Sequence, residues 1–138
     1  MKISEVMSRN VAVTSQDATL KQAADMMRER KIGFLPVLRN GSVVGVVTDR
    51  DIVIRSICDG LDPVATKVRD VMTRSSFQCY DDQVLTDAAR IFTFNRVRRL
   101  LVFNRDKKLV GLLSLDDLAA KMSSDRLLGT VVRRVTAA

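Results

Sequence analysis

Two short segments carry the residues best suited to chemistry, a hydroxyl group followed three residues later by a carboxylate. They are GVVTDRD at 45–51 and GLLSLDD at 111–117. Each runs from a glycine and two aliphatic residues, typical of a strand, into a polar stretch typical of the first turn of a helix. We therefore expect Thr48 with Asp51, and Ser114 with Asp117, at two strand-to-helix corners.

These corners have two interpretations. A helix N-terminus with free N–H groups, beside a hydroxyl donor, suits a phosphate, and a nearby aspartate can accept hydrogen bonds from a ribose. The same spacing is also a capping box, in which hydroxyl and acid bind each other's main-chain amides. Two features favour the ligand: capping boxes prefer Glu or Gln to Asp, and both copies keep a glycine three residues before the hydroxyl.

Other chemistry is poorly supported. The sequence has no histidine, which removes the commonest general base and metal ligand. The glycine-rich motifs G-x-x-x-x-G-K-[ST] and G-x-G-x-x-G, and the nucleophile motif G-x-S-x-G, do not occur. We therefore expect no enzyme, no bound metal and no catalytic cofactor.

An internal duplication of the sequence predicts the same helices and strands around both corners. The octapeptides KISEVMSR at 2–9 and KVRDVMTR at 67–74 match at an offset of 65 residues. Apolar residues at helical spacing then predict one buried helix face in each copy, formed by Leu20, Ala23, Ala24 and Met27 and again by Leu85, Ala88, Ala89 and Phe92. Aliphatic stretches predict two strands in each copy, at 34–38 and 42–48 and at 100–103 and 108–114.

A short helix is predicted after the last strand of each copy, as DRDIVIRSIC and as LDDLAAKM. Each copy therefore reads β-α-β-β-α. Asp17 and Asp82 are expected to cap the first helices, and Asn40-Gly41 predicts a type I′ hairpin turn. The fold class is α+β (or α/β), with repeats at 1–60 and 67–122, a linker at 61–66 and a tail at 123–138.

One repeat of this size buries too little surface to be comfortably stable alone. We expect the two repeats to pack about a pseudo-twofold axis as one globular module. The tail is expected to form a small amphipathic helix or an added strand.

Net charge and cysteine content indicate which partners the protein could bind and in which compartment it is found. The net charge is +7, and residues 66–138 hold 14 Lys and Arg against 8 Asp and Glu. This excess keeps nucleic-acid binding as an alternative, although the aromatic content is only 4% and no nucleic-acid motif occurs. The two single cysteines, and the lack of a signal peptide or a membrane-spanning apolar run, predict a cytoplasmic protein without membrane contact.

The whole arrangement resembles a tandem pair of CBS domains, a Bateman module, as a stand-alone protein. The resemblance rests on the duplicated G-h-h-[TS]-x-x-D string, the V-M-[ST]-R opening and the FLPV strand, and covers about residues 2–122. It implies a regulatory module that senses adenosine-containing ligands (AMP, ADP, ATP, possibly NAD or S-adenosylmethionine) between the repeats. It also implies a homodimer and a regulated partner protein. A structural interaction module with empty pockets is the remaining alternative.

The resemblance also assigns binding residues. Thr48 with Asp51 and Ser114 with Asp117 would hold phosphate and ribose. The base would lie against two further sets of positions, Val11, Ala12, Ile32, Gly33 and Phe34 in the first copy and Phe77, Gln78, Val97, Arg98 and Arg99 in the second.

The two sets differ at one informative position. Gly33 corresponds to Arg98, so a flat base could approach the main chain in the first copy, where the second carries a permanent cation. We therefore expect two inequivalent sites. For Arg96 the favoured interpretation is a helix end, where a cation complements the dipole.

Overall fold

The protein contains two compact units in the computed structural model, which describes residues 1–122 and 124–137. The first unit is Ala12–Ser76; the second joins Met1–Val11 to the chain from Phe77 onward. These units cut across the two sequence repeats, so the repeat boundaries and the packing of the repeats about an axis stay predictions.

The first unit contains a three-stranded sheet with helices. Its elements are β1 (Thr14–Ser15), α1 (Leu20–Arg30), β2 (Phe34–Arg39), β3 (Ser42–Thr48) and α2 (Asp49–Ile52), which continues as a π-helix over Val53–Ile57. The strand order is β1-β2-β3, with β1 parallel and β3 antiparallel to β2.

The second unit repeats this topology. Its elements are β4 (Gln78–Tyr80), α3 (Leu85–Asn95), β5 (Arg99–Phe103), β6 (Leu109–Ser114), α4 (Leu115–Lys121) and α5 (Asp125–Thr136). The strand order is β4-β5-β6. The predicted α+β fold class and the β-α-β-β-α order of both copies are confirmed.

Each unit has its own core, and the predicted helix faces supply much of it. In the first unit Leu20, Ala23 and Met27 are buried, whereas Ala24 is exposed. In the second unit all four predicted positions are buried, in a cluster that also holds Val131 and Val135 of α5. The tail is therefore a helix and not a strand. Its predicted span includes Ser123 and Ala138, which lie outside the described residues.

The prediction that Asp17 caps α1 is wrong. The cap is Thr19, whose Oγ1 accepts from the main-chain N–H of Gln22 at 3.1 Å while Gln22 Oε1 accepts from the N–H of Thr19 at 2.9 Å. Asp17 lies two residues too early to reach these amides and instead pairs with Arg69.

The prediction that Asp82 caps α3 is also wrong. The Asp82 carboxylate accepts two hydrogen bonds of 2.9 Å from Arg105, whose guanidinium lies 4.0 Å from the centre of the Tyr80 ring. These hydrogen bonds hold the pKa of Asp82 below its usual value. The N-cap position of α3 is Val84, which provides no side-chain cap.

The hairpin between β2 and β3 has the predicted turn. Asn40 and Gly41 have φ of 51° and 79°, the positive values that a type I′ turn requires at both central residues.

The opening octapeptides pack across the repeats. Thr73 exchanges main-chain hydrogen bonds of 2.9 and 2.8 Å with Val46 on β3 of the first unit. Ser8 does the same with Leu112 on β6 of the second unit, at 2.9 and 3.0 Å. The segment that begins each repeat therefore extends the sheet of the other.

These contacts explain the glycine that precedes each corner. A Cβ at Gly45 would lie 2.5 Å from the Thr73 carbonyl oxygen, and one at Gly111 would lie 2.5 Å from Met7 Sδ and 3.0 Å from the Ser8 oxygen. The glycines admit the chain's own opening segments. They therefore do not support the ligand interpretation over the capping box.

Both cysteines, exposed Cys58 and buried Cys79, are free thiols. Burial raises the pKa of Cys79 to about 12. Among the helices of the described chain, none has the length and apolar character needed to cross a bilayer.

We expect Gly45→Ala to lower the free energy of unfolding by about 1–3 kcal/mol, because the added methyl group meets main-chain oxygen that cannot move freely. Gly129→Ala is the matched control. Its Cβ would meet only the end of the Arg133 side chain at 3.5 Å, and alanine favours the α5 helix by up to about 1 kcal/mol. Urea denaturation measures both. Equal effects of the two substitutions would contradict the close approach at Gly45.

Candidate functional site

The first corner joins β3 to α2 in the first unit. Thr48 is the last residue of β3 and the N-cap of α2. Its Oγ1 accepts from the Asp51 N–H at 3.1 Å, and Asp51 Oδ2 accepts from the Thr48 N–H at 3.0 Å. Both side chains are partly buried, so this pair is fixed by the local fold.

The second corner has the same geometry. Ser114 Oγ accepts from the Asp117 N–H at 3.0 Å, and Asp117 Oδ2 accepts from the Ser114 N–H at 2.9 Å. Both capping boxes are therefore formed. They do not exhaust the chemistry, because a carboxylate has about four acceptor sites and a hydroxyl that accepts one bond keeps its own proton to donate.

Four of the predicted base-binding residues lie beside the corners. Phe34 is opposite Thr48 in the β2–β3 register, and the Asp49 N–H donates to the Gly33 oxygen at 3.0 Å. In the second unit Arg99 is opposite Ser114, and the Leu115 N–H donates to the Arg98 oxygen at 2.9 Å.

The other predicted base-binding residues are less directly tied to the corners. Ile32 directly precedes Gly33 and is exposed, whereas Val97 directly precedes Arg98 and packs on the core of the second unit. Gln78 lies on β4, opposite Leu101, one strand away from β6. The remaining positions are Val11, at the end of a segment of the second unit, Ala12, packed on the first core, and Phe77, just before β4.

Two charged residues at the first corner did not emerge from the sequence patterns. An added Cβ on Gly33 would lie 2.6 Å from Asp49 Oδ2, so the Asp49 carboxylate occupies the space beside that glycine. Arg55 Nε lies 4.0 Å from Asp51 Oδ1, and its Nη1 donates to the oxygens of Val71 and Met72 at 3.1 and 3.2 Å. The four-residue spacing of Asp51 and Arg55 was a usable signal for this ion pair.

The first-turn amides differ between the corners. In the first unit the N–H groups of Asp49, Arg50 and Asp51 bind the Gly33 oxygen, Asp49 Oδ1 and Thr48 Oγ1. The free N–H groups predicted for a phosphate are thus already paired there.

The second corner lacks one of these pairings. Leu115 occupies the place of Asp49 and has no side-chain acceptor for the next amide, that of Asp116. This difference adds to that between Gly33 and Arg98. The predicted inequivalence of the two corners therefore has a structural basis.

The part of the chain that the structure describes contains no cluster of side chains suited to binding a metal ion. Within residues 1–122 and 124–137, no three His, Cys, Asp or Glu side chains are grouped so that they could hold an ion.

The sequence model of the CBS domain matches residues 3–57 and 68–124. The chain therefore belongs to the CBS-domain family and carries a tandem pair of these domains, which is a regulatory module. The resemblance drawn from the repeated strings is confirmed.

Individual relatives agree with this assignment. The chain is 30% identical over 134 residues to the CBS domain-containing protein YhcV of Bacillus subtilis, covering 97% of this chain and 94% of that one. A crystal structure of CBSX2 in complex with AMP has 27% identity and a TM-score of 0.73, covering 86% of this chain and 93% of that chain.

A more distant structure shares the fold. It is the CBS domain pair of MJ0100 in complex with 5′-methylthioadenosine and S-adenosyl-L-methionine, with 17% identity and a TM-score of 0.75, covering 87% of this chain and 94% of that chain. Several other curated relatives are longer than the matched region. The chain spans only 38% and 61% of two archaeal proteins and 23% of an inosine-5′-monophosphate dehydrogenase of Methanocaldococcus jannaschii.

We expect Thr48→Ala to lower the free energy of unfolding by about 0.5–2 kcal/mol without any ligand, because it removes an N-cap acceptor. Ser114→Ala should behave alike. Ser42→Ala, at the exposed start of β3, is the control and should change stability by less than about 0.5 kcal/mol. Urea denaturation gives the three values, and a Thr48→Ala variant as stable as the control would show that the box does not stabilise the corner.

Proposed function

We propose that this chain senses adenosine-containing nucleotides, binding them at the two hydroxyl–aspartate corners and signalling to a partner protein through a change of conformation. The observation that carries the proposal is that both repeats keep the same corner, with the same two hydrogen bonds in each, in a family of which one member, CBSX2, holds AMP.

The ribose would bind to the aspartates. In both boxes Oδ2 accepts the main-chain bond, and Oδ1 is the atom that we assign to the ribose hydroxyls. Vicinal hydroxyl groups can donate to one carboxylate oxygen or to both. Arg55, 4.0 Å from Asp51 Oδ1, would help to orient that carboxylate.

The phosphate would bind to the hydroxyl side of each corner. Thr48 Oγ1 and Ser114 Oγ each accept one bond from an amide, so each retains an O–H donor for a phosphate oxygen. In the second unit, Arg98 adds a cation at the position where the first unit has Gly33.

The adenine base would lie against different surfaces in the two units. In the first, Ile32 and Phe34 provide apolar surface beside Gly33, and a flat ring would lie against that surface once the Asp49 carboxylate, which occupies the space beside Gly33, turns aside. In the second, the planar guanidinium of Arg98 can stack on a base.

The ligand chemistry is assigned to the adenosine class as a whole. AMP is the first candidate because of the CBSX2 complex. The panel of compounds to be tested also includes adenosine compounds without a phosphate, because the MJ0100 pair, which shares the fold, holds 5′-methylthioadenosine and S-adenosyl-L-methionine. NAD, ADP and ATP complete the panel.

We expect Asp51→Asn to weaken AMP binding at the first corner by about ten- to a hundredfold, with little loss of stability. A loss of this size corresponds to the free energy that hydrogen bonds to a charged group contribute. An asparagine oxygen can still accept from the Thr48 N–H, so the cap survives while the charged acceptor is lost. Asp117→Asn should do the same at the second corner. Isothermal titration of ligand-free protein measures both sites.

Asp106→Asn, in the exposed turn between β5 and β6, is the matched control for a lost negative charge. Unchanged AMP affinity in both corner variants, or no heat with any compound of the panel, would contradict the proposal.

We expect the first corner to disfavour phosphorylated ligands because Asp49 brings a negative charge and occupies the Arg50 amide. Asp49→Leu should therefore raise its affinity for ATP by about three- to tenfold at low salt, with a smaller gain for 5′-methylthioadenosine, which has no phosphate. The reciprocal Leu115→Asp should lower ATP affinity at the second corner. Equal effects on ATP and on 5′-methylthioadenosine would contradict this electrostatic account.

A further inference from the structure

The Arg55 side chain connects the aspartate of the first corner to the segment that begins the second repeat. Its Nε lies 4.0 Å from Asp51 Oδ1, and its Nη1 donates to the main-chain oxygens of Val71 and Met72 at 3.1 and 3.2 Å. A guanidinium carries several N–H donors in one plane, so it can serve acceptors on two sides at once. Arg55 is therefore placed to respond to a change at Asp51 and to act on a distant part of the chain.

The two carbonyl groups depend on this side chain. Val71 and Met72 are buried, and within the described chain their oxygens accept no hydrogen bond from any other donor. The next residue, Thr73, exchanges main-chain hydrogen bonds with Val46 on β3. Arg55 thus holds the main chain directly before the contact that adds this segment to the sheet of the first unit.

The conformation around Arg55 is unusual. Arg55 lies in the π-helix Val53–Ile57, and π-helical turns are rare and often occur at functional sites. The adjacent Ser56 is fully buried, and its Oγ makes no hydrogen bond within the described residues. Because a buried hydroxyl group without a partner costs free energy, local stability alone does not explain this segment. A role for Arg55 at the neighbouring corner does explain it.

The second corner has no equivalent bridge. Lys121 is aligned with Arg55 and is the last residue of α4, a regular α-helix. Its ammonium group forms no hydrogen bond and no ion pair with any residue in 1–122 and 124–137. A lysine also lacks the planar fork with which arginine reaches several acceptors. The link between a corner aspartate and an opening octapeptide is therefore a property of the first corner.

We propose that Arg55 is a positioning residue that couples occupancy of the first corner to the docking of residues 71–73 on β3. This role depends on the proposed function, because Asp51 Oδ1 is both the acceptor that we assign to the ribose and the ion-pair partner of Arg55. It specifies the route by which binding at this corner is transmitted. The route runs through Arg55 into the segment after which the chain enters the second unit, at Phe77.

Ribose binding would strengthen the docking of this segment. At 4.0 Å the Nε–Oδ1 contact is too long for a hydrogen bond, and half of the Arg55 side chain is exposed, so the ion pair alone holds the guanidinium weakly. Ribose hydroxyl groups on Oδ1 would fix the carboxylate through both of its oxygens and exclude water from it. A fixed, less solvated carboxylate restricts the guanidinium to the position in which it binds both carbonyl groups. Occupancy should therefore slow the opening of the contact between Thr73 and Val46.

Hydrogen exchange of the full chain, followed for each amide by NMR at saturating AMP, tests the coupling. Any bound ligand slows exchange at amides that open only by global unfolding. The amides of Leu35 and Val47, which are paired between β2 and β3, are therefore the internal reference. In the wild type, AMP should slow exchange at Thr73 and Val46 by about threefold or more beyond its effect on this reference.

Substitutions at Arg55 should abolish this excess slowing. Arg55→Met removes the guanidinium and keeps the apolar part of the side chain. Arg55→Lys keeps the positive charge without the planar fork, so the excess should disappear there too. Lys121→Met is the matched control and should retain it. Titration calorimetry confirms that each variant is saturated, so that a weaker affinity is not mistaken for lost coupling.

The outcomes separate the coupling from the binding itself. If AMP binds at the first corner but the excess slowing is absent from the wild type, or survives either substitution of Arg55, the coupling is overturned and the proposed function stands. If AMP does not bind at the first corner, the proposed function of that corner and the coupling both fail.

Discussion

The main-chain hydrogen bonds between each opening octapeptide and the sheet of the other repeat are the constraint on which the rest of the structure depends. Val46 with Thr73, and Ser8 with Leu112, satisfy strand groups that would otherwise form an open edge. Neither repeat can complete its unit from its own residues alone. The duplication is therefore a physical requirement of this fold, since each copy provides a segment that the other one uses.

This constraint also decides what the corner glycines do. Gly45 and Gly111 are the points at which the opening segments come closest to the strands, and side chains there would overlap with Thr73, Met7 or Ser8. By holding β3 and β6 in place, the contacts fix the strand ends from which α2 and α4 start. The position of Thr48 and Ser114 at the helix starts is thus a consequence of packing two to three residues earlier.

Much of the fold could be predicted because it is encoded locally. The helix faces follow from a 3.6-residue period, and the positive φ angles at Asn40 and Gly41 follow from residue type. The caps were mispredicted because Asp17 and Asp82 are typical capping residues, yet Arg69 and Arg105, 52 and 23 residues away along the chain, engage them. The pairing of each opening octapeptide with the sheet of the other repeat could not be predicted either, because a sequence repeat does not indicate which copy completes which sheet.

The candidate site likewise has features that are encoded locally and could be predicted, and features that depend on tertiary contacts and could not. The corner pairs could be predicted, since three-residue spacing at a helix start is local. The carboxylate of Asp49 beside Gly33 could not, because the contact brings together residues on β2 and α2 whose distance depends on the sheet register. The choice between capping and ligand binding could not be made from the motif, and the structure shows why: the capping bonds use only one carboxylate oxygen of each aspartate.

The central claim is that one carboxylate both caps its helix and receives a ribose. The most direct test is a crystal structure of ligand-free protein soaked with AMP. The account predicts ribose hydroxyls within hydrogen-bonding distance of Asp51 or Asp117 Oδ1, with Oδ2 still bound to the main-chain N–H of Thr48 or Ser114. AMP bound elsewhere, with both aspartates in contact only with their own helix starts, would contradict it.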